Sequence, residues 1–354
     1  MQNDVIQVFL DAVPMPAMAI DAEGKVVALN PDGVALFGTQ SLHRNYITMM
    51  RQPSVLEAIE ETLRDGKQRE ASYQSTLTGT ETTFDVSCRG INNDPQGAVK
   101  HVILCFQDVT DIHHAGQMRR DFVANVSHEL RTPLTSLIGF IETLSGPARE
   151  DVAARKRFLP IMLGEANRMN RLVGELLSLG RVEVDERVKP TGQVCLHDIL
   201  NETLDAIKPL ADNGNVTLEV DLLPKPLHLI GDSDQLRQVF TNLIENAIKY
   251  GSDGKRVTVR MTLSARDEAL RGPGCHIEVI DYGVGIAAIH LPRLTERFYR
   301  VDDHRSRELG GTGLGLAIVK HIVNRHRGQM RIHSTPDLGT TFAVILPTQL
   351  DADQ

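Results

Sequence analysis

The sequence predicts a multidomain α+β chain, and three observations carry that prediction. Short apolar runs alternate with turn residues over roughly the first hundred positions. Two apolar series at steps of three and four fill the middle, and strand-like and helix-like segments alternate around glycine clusters towards the end. At 354 residues the chain is too long for one ordinary core. Its three parts are expected at 1–110, 114–183 and 191–348.

The first part opens with Ala17-Met-Ala-Ile20, a turn at Asp21-Ala-Glu-Gly24 and Lys25-Val-Val-Ala-Leu29, a hairpin signal because glycine sits between two apolar runs. A short helical stretch runs to Phe37-Gly38. Three further strands fit 70–77, 82–89 and 98–106, with Asn92-Asn93-Asp94-Pro95 as the loop before the last. Five strands with helices between the second and third, closing on Asp108-Val-Thr110, resemble a PAS domain. A small α+β module that dimerises or relays strain without a ligand fits the same pattern.

In the middle part, apolar residues at 118, 122, 126, 130, 134, 137, 141 and 144 mark one helical face, and Phe158, Met162, Met169, Leu172, Leu176 and Leu179 mark another. Gly146-Pro147 separates the two helices. A lone hairpin would leave one side apolar, so pairing with a second copy into a four-helix bundle is expected, which makes the chain a homodimer.

The last part follows a charged connector at 183–190. Helices fit 197–212, 233–250 and 314–325, and strands fit 216–221, 256–263, 276–281, 330–334 and 341–346, with Gly272-Pro273-Gly274 as a loop. The result is a mixed sheet with helices on one face.

Among thirteen histidines, His128 stands out within Ser127-His128-Glu129-Leu130-Arg131-Thr132-Pro133-Leu134. Its neighbours Val126 and Leu130 belong to the apolar stripe, so the imidazole should face solvent or the adjoining groove. A neutral ring nitrogen is nucleophilic near pH 7 when the other nitrogen keeps its proton, and Glu129 is the adjacent group to hold that proton. Pro133 has no amide hydrogen and crowds the Glu129 carbonyl, which should loosen or bend the helix beyond the histidine. Thr132 lies one turn further along the same face.

A glycine-rich region begins more than a hundred residues downstream. In Asn242-Leu-Ile-Glu-Asn246-Ala-Ile-Lys249-Tyr250 the two asparagines share a helical face, and an amide oxygen suits Mg²⁺. Asp281-Tyr-Gly283-Val-Gly285 follows a strand, where glycine lets the backbone approach a flat base. Gly310-Gly311-Thr312-Gly313-Leu314-Gly315 opens a helix whose first amide groups can face phosphates.

A phosphate acceptor followed by these three boxes resembles a two-component sensor histidine kinase, with its dimerising phosphotransfer hairpin and an ATP-binding α/β sandwich of the class shared with gyrase and heat-shock chaperones. The resemblance implies ATP and Mg²⁺ as cofactors, His128 as acceptor, Glu129 as general base and a response-regulator receiver domain as partner. It further implies that Thr132 serves removal of phosphate from that partner, and that Asn246 holds the metal with Asn242 in support. Lys249 would approach the phosphates, Tyr250 would pack near the adenine, and Asp281 would accept from the adenine amino group. Arg297-Phe298-Tyr299-Arg300 resembles the family's phenylalanine box, with Arg300 touching the terminal phosphate and 301–309 acting as a lid. Gly339-Thr-Thr-Phe342 is read as structural. The wording at 119–136 and 295–302 is most similar to the phosphate-regulon sensor subfamily.

Rapid ATP hydrolysis is disfavoured, because the hydrolytic relatives of this pocket carry a glutamate where this chain has Asn242, and an amide cannot take a proton from water. Glu245 is read as lying on another face. A scaffold that binds ATP only to change shape is the alternative. The formal charge of −8 includes no long basic run, which excludes a phosphate-backbone binder and so direct nucleic-acid binding. Cys88, Cys105, Cys195 and Cys275 lack metal or redox spacing and are expected as reduced thiols. No run approaches the about 18 apolar residues of a membrane span. The chain is therefore expected to be cytoplasmic, either by nature or through loss of a membrane segment.

Overall fold

The computed structural model describes residues 2–75, 81–91, 99–251, 254–302 and 311–348, and the chain divides into two compact units, 1–123 and 124–354. The first contains α1 (Gln2–Asp11), β1 (Ala17–Asp21), β2 (Val26–Leu29), α2 (Pro31–Phe37), α3 (Pro53–Asp65), β3 (Arg69–Ser75), β4 (Thr82–Ile91) and β5 (His101–Asp108). Its antiparallel sheet runs β2-β1-β5-β4-β3.

The hairpin turn forms because the Asp21 carboxylate accepts from the amides of Glu23 (3.1 Å) and Lys25 (2.7 Å) while Gly24 takes φ +80°. Buried Asn30 is fully used: Oδ1 accepts from Ala17 and Gly33, capping α2, and Nδ2 donates to the Val13 and Met15 carbonyls. On one sheet face Met18, Ile20, Val86, Leu104 and Phe106 are buried with a ring cluster of Phe37, Tyr73, Phe84 and Phe106. The other face of β1, Ala17 and Ala19, lies under Leu10 of α1, a helix absent from the sequence reading. The expected Asn92–Pro95 loop and Ala98 lie outside the described residues.

The second unit is entered along α4 (Thr110–Ser145), which turns at Gly146 into α5 (Val152–Asp185), N-capped by Asp151 at 2.9 Å from the Ala154 amide. Helix α4 continues through Pro133. Proline leaves the Glu129 carbonyl without its backbone donor, and the Thr132 hydroxyl donates to the His128 carbonyl at 3.2 Å. Phe140 and Phe158 meet across the hairpin with ring centroids 5.0 Å apart. In the single chain, Leu134 and Ile141 of the expected stripe stay about half exposed, with Leu159 and Leu163 on α5.

Beyond the hairpin come β6 (Gln193–Cys195), α6 (Leu196–Asn213), β7 (Thr217–Asp221), β8 (His228–Ile230), α7 (Ser233–Tyr250), β9 (Arg256–Asp267), β10 (Gly272–Asp281), α8 (Gly315–Arg325), β11 (Gln329–Thr335) and β12 (Gly339–Pro347). The large sheet runs β11-β12-β10-β9-β7, with β7 parallel to β9 and the other pairs antiparallel, while β6 and β8 form a two-stranded sheet of their own. Leu236, Val239, Phe240, Leu243 and Ile244 of α7 are buried at helical spacing, which leaves Asn242 and Asn246 on the remaining face. Gly272-Pro273-Gly274 is not a loop. It opens β10, where an irregularity in register between Gly272 and Gly274 accommodates the proline, and the turn lies earlier, on amides of Ala269 and Leu270 held by Asp267.

Candidate nucleotide and phosphotransfer site

The face of α7 opposite its apolar stripe forms one wall of a cavity of about 350 Å³. Of the residues singled out from sequence, Asn242, Asn246, Lys249, Tyr250, Asp281, Gly285, Gly311, Thr312, Gly313, Gly315 and Arg300 all line it. Gly310 and 303–309 of the expected lid lie outside the described residues, while Val301 and Asp302 line the cavity.

Two glycines show why those positions take no side chain. At Gly313, φ +76°, a Cβ would meet the Phe298 backbone at 2.8 Å; at Gly285, φ +66°, it would run into the Thr335 carbonyl. Two other expected contacts are absent from the wall. Gly283 packs against Gly251 and donates its amide to Asp281 at 3.0 Å, so it shapes the carboxylate rather than the cavity. Leu314, the N-cap residue of α8, is fully buried in the core, its amide donating to the Thr312 hydroxyl at 3.3 Å.

Asp281 is buried and accepts from Gly283 and, at 3.3 Å, from the Thr340 amide, both on Oδ1. Burial pushes its carboxyl above the usual carboxylate range, and the two amides hold it back. Thr340 and Phe342, read from sequence as structural, line the cavity from β12. Glu245 also lines it, contrary to its expected placement on another face: its carboxylate accepts from Lys249 Nζ at 2.6 Å, one turn along. Asn242 Nδ2 is 3.4 Å from the Gly315 carbonyl, tying α7 to the start of α8.

Helix α4 meets this cavity through a charge cluster. His128 is exposed on α4, as its place beside the apolar stripe predicts. Glu129 does not hold its imidazole. The partly buried carboxylate accepts instead from Arg300 at 2.9 and 3.3 Å and from Arg168 at 3.1 Å, two guanidinium groups that each offer it charge-assisted hydrogen bonds. The Arg300 side chain is only 4% exposed, and its Nε is buried without a hydrogen-bond partner. A desolvated donor of this kind at a cavity wall suits an incoming anion.

Residues 118–184 match the His Kinase A (phospho-acceptor) domain, and residues 231–350 match the family of histidine kinase-, DNA gyrase B- and HSP90-like ATPases. Sensor-like histidine kinase SenX3 of Mycobacterium tuberculosis is 33% identical over 341 residues, covering 92% of this chain and 80% of that protein. The chain belongs to the sensor histidine kinases of two-component systems. Phosphate regulon sensor protein PhoR of Pseudomonas aeruginosa is 42% identical over 247 residues, which is 70% of this chain and 54% of that protein, so the chain spans about half of that relative. The crystal structure of histidine kinase ThkA in complex with response regulator protein TrrA shares the fold, with a TM-score of 0.50 and 18% identity over 96% of this chain and 98% of that one. Among the described residues, no helix is long and apolar enough to cross a membrane.

Sequence reasoning missed Arg171 and Glu175 of α5, which also line the cavity. The Thr312 hydroxyl donates to the Glu175 carboxylate. Their one signal was spacing: they stand a turn apart on α5, and Arg168, which holds Glu129, lies three residues before Arg171.

Proposed function

We propose that this sensor histidine kinase moves the terminal phosphoryl group of Mg·ATP to His128 and then to an aspartate of a response-regulator receiver domain. The observation that carries the reading is Arg300, a single side chain that both lines the cavity and binds Glu129, the residue next to the acceptor. In the transfer, a neutral nitrogen of His128 forms the new P–N bond while the bond from the terminal phosphorus to its bridging oxygen breaks. ADP leaves with that electron pair. The imidazole proton goes to the Glu129 carboxylate, for which Glu129 has to exchange its Arg300 bonds for the ring.

A volume of about 350 Å³ is within the range of small-molecule sites. Its Asp281 suits an adenine amino group, and Lys249 with the amides of 311–315 suits phosphates. The donor set also fits a divalent ion held largely by the nucleotide: the Asn246 amide lines the cavity with Glu245 and Lys249. When bound, Mg²⁺ supplies neutralisation of phosphate charge; Asn246 would hold it and Asn242 would steady that wall.

The half-exposed apolar side chains Leu134, Ile138, Ile141, Leu159 and Leu163 support a homodimer closed through the hairpin. The order β2-β1-β5-β4-β3 supports a PAS-like input role for the first unit. Widely spaced thiols favour a reducing compartment, the cytoplasm. The likeness to PhoR supports phosphate status as the signal, and Thr132, exposed one turn after His128, supports a second activity that dephosphorylates the partner.

Incubation with γ-labelled ATP tests the main reading. Acid-labile, alkali-stable label that is lost in His128→Ala is expected, and tight nucleotide binding with no label would overturn it. Thr132→Ala is expected to keep autophosphorylation and lose dephosphorylation of the regulator. Phosphotransfer profiling against purified regulators tests the phosphate pathway, with one strongly preferred receiver expected.

A further inference from the structure

The glycine-rich segment 311–315 is the part of the cavity best suited to phosphates, yet its one hydroxyl is already engaged. Thr312 donates it to Glu175, a carboxylate from the hairpin helix α5, more than a hundred residues earlier in the chain. Glu175 lines the same cavity as Asn246, Lys249, Gly311 and Gly313. A carboxylate and a phosphate oxygen are both anionic acceptors that use the same donors, so the two compete for this seat.

The charges facing Glu175 are mixed. Arg171 on its own helix and Lys249 on α7 favour its ionised form, whereas Glu245 and burial oppose it, with burial the larger influence and the net direction upward. A carboxylate held there against its desolvation cost needs a helix that is itself held, and α5 is. Ser178 bonds Gln238 at 3.0 Å, Glu183 takes Arg297 at 2.5 Å, and Glu186 takes His321 at 2.8 Å and Asn324 at 2.9 Å. These contacts hold the last turns of α5 and its C-cap residue Glu186, just beyond Glu175, and so keep Glu175 at Thr312.

We propose that Glu175 is a built-in competitor of the nucleotide triphosphate: with its carboxylate on Thr312 the phosphate end of the cavity is closed, and ATP binds only after α5 withdraws it. The proposal rests on the nucleotide reading of the cavity and adds a gate to it. The hairpin thereby controls loading of its own phosphate donor. Occupancy of the gate lowers apparent ATP affinity by the fraction of molecules in which it is open.

The test is equilibrium binding of a non-hydrolysable ATP analogue and of ADP, each with Mg²⁺, to the full chain and to Glu175→Ala and Glu175→Gln, with melting temperatures recorded alongside. Both variants are expected to bind the ATP analogue about tenfold more tightly, with a smaller change for ADP, since the shorter ligand leaves part of the seat to the carboxylate. A purely structural glutamate would instead leave the ATP-to-ADP ratio unmoved or weaken both ligands, and either result overturns the gate. Glu175→Gln retains size and an acceptor for Thr312, so it reports on charge even where Glu175→Ala destabilises the fold. A wild-type chain that binds neither nucleotide would overturn the cavity reading and the gate together; one that binds both, with variants identical to it, overturns the gate alone.

Discussion

The two five-stranded sheets of this chain solve the same packing problem in opposite ways. In the N-terminal unit Phe37, Tyr73, Phe84 and Phe106 fill the core face with interlocking rings, centroids 5.0 to 6.3 Å apart. In the C-terminal unit the helix-covered face is packed as tightly around Phe240, Leu243, Ile277 and Val279, but one end is left open between α7, β10, β12 and the start of α8. The difference lies in residue choice at a few positions. Asn242 and Asn246 put short polar side chains on the α7 face away from its apolar stripe, and Gly285 and Gly313 keep backbone where a side chain would intrude. A ligand cavity is therefore the omission of packing at one place, stabilised by full packing elsewhere.

Removing a ring from the filled core should have the largest effect. Phe106→Ala is expected to destabilise the first unit by about 3–5 kcal/mol, so that a urea melt resolves an early transition while nucleotide binding by the second unit persists. Loss of nucleotide binding along with that transition would show that the two sheets are not separable. On the open side, Asn246→Ala should leave both folds intact by circular dichroism and lower the autophosphorylation rate at least about a hundredfold.

Gly313→Ala forces a side chain onto φ +76° and against the Phe298 backbone, which costs about 1–3 kcal/mol. The expected readout is about tenfold weaker ATP binding with little change in the N-terminal melt.

Smaller effects probe burial itself. Burial raises the Glu175 carboxyl above its unfolded value, so between those two values the native state binds more protons and stability falls as pH rises. Glu175→Gln removes that penalty. Its melting temperature should exceed that of the wild type near neutrality, and the gap should close as the pH falls into the ordinary carboxylate range. Buried Cys88 and Cys275 have thiols pushed up to about 12 and should resist alkylation at pH 8 in the native chain, whereas partly exposed Cys195 reacts first, as mass spectrometry of labelled peptides can show.

Much of the fold could be read in advance because local signals were unambiguous. Helix α7 begins and ends where expected, at 233 and 250, since Asp232 caps it and Gly251 stops it. Helix α1 escaped because the alanines beneath it, Ala17 and Ala19, alternate with Met18 and Ile20 and so read as one continuous apolar strand. The glycines at 272 and 274 misled, since the same residues serve a turn or a strand irregularity and only pairing with β9 decides which. At the site, the boxes on α7, β10 and α8 were legible as motifs. Glu175, Arg171 and Arg168 were not, because the partners of Glu175 and Arg168, Thr312 and Glu129, lie far from them in sequence and nothing in α5 alone marks that face as different from a solvated one. Glu129 was visible as an acid beside His128, but its capture by two guanidiniums depends on tertiary approach.

A guanidinium is a flat plate with five hydrogens spread around its rim. In Arg300 the two terminal nitrogens are spent on Glu129 while the inner nitrogen faces no acceptor. Such a plate can clasp one anion along one edge and offer another edge to a second, which the compact point charge of a lysine cannot divide in the same way. The geometry suits a two-sided coupling, and a change as mild as arginine to lysine there is expected to weaken the tie between α4 and the cavity wall while keeping every charge in the count.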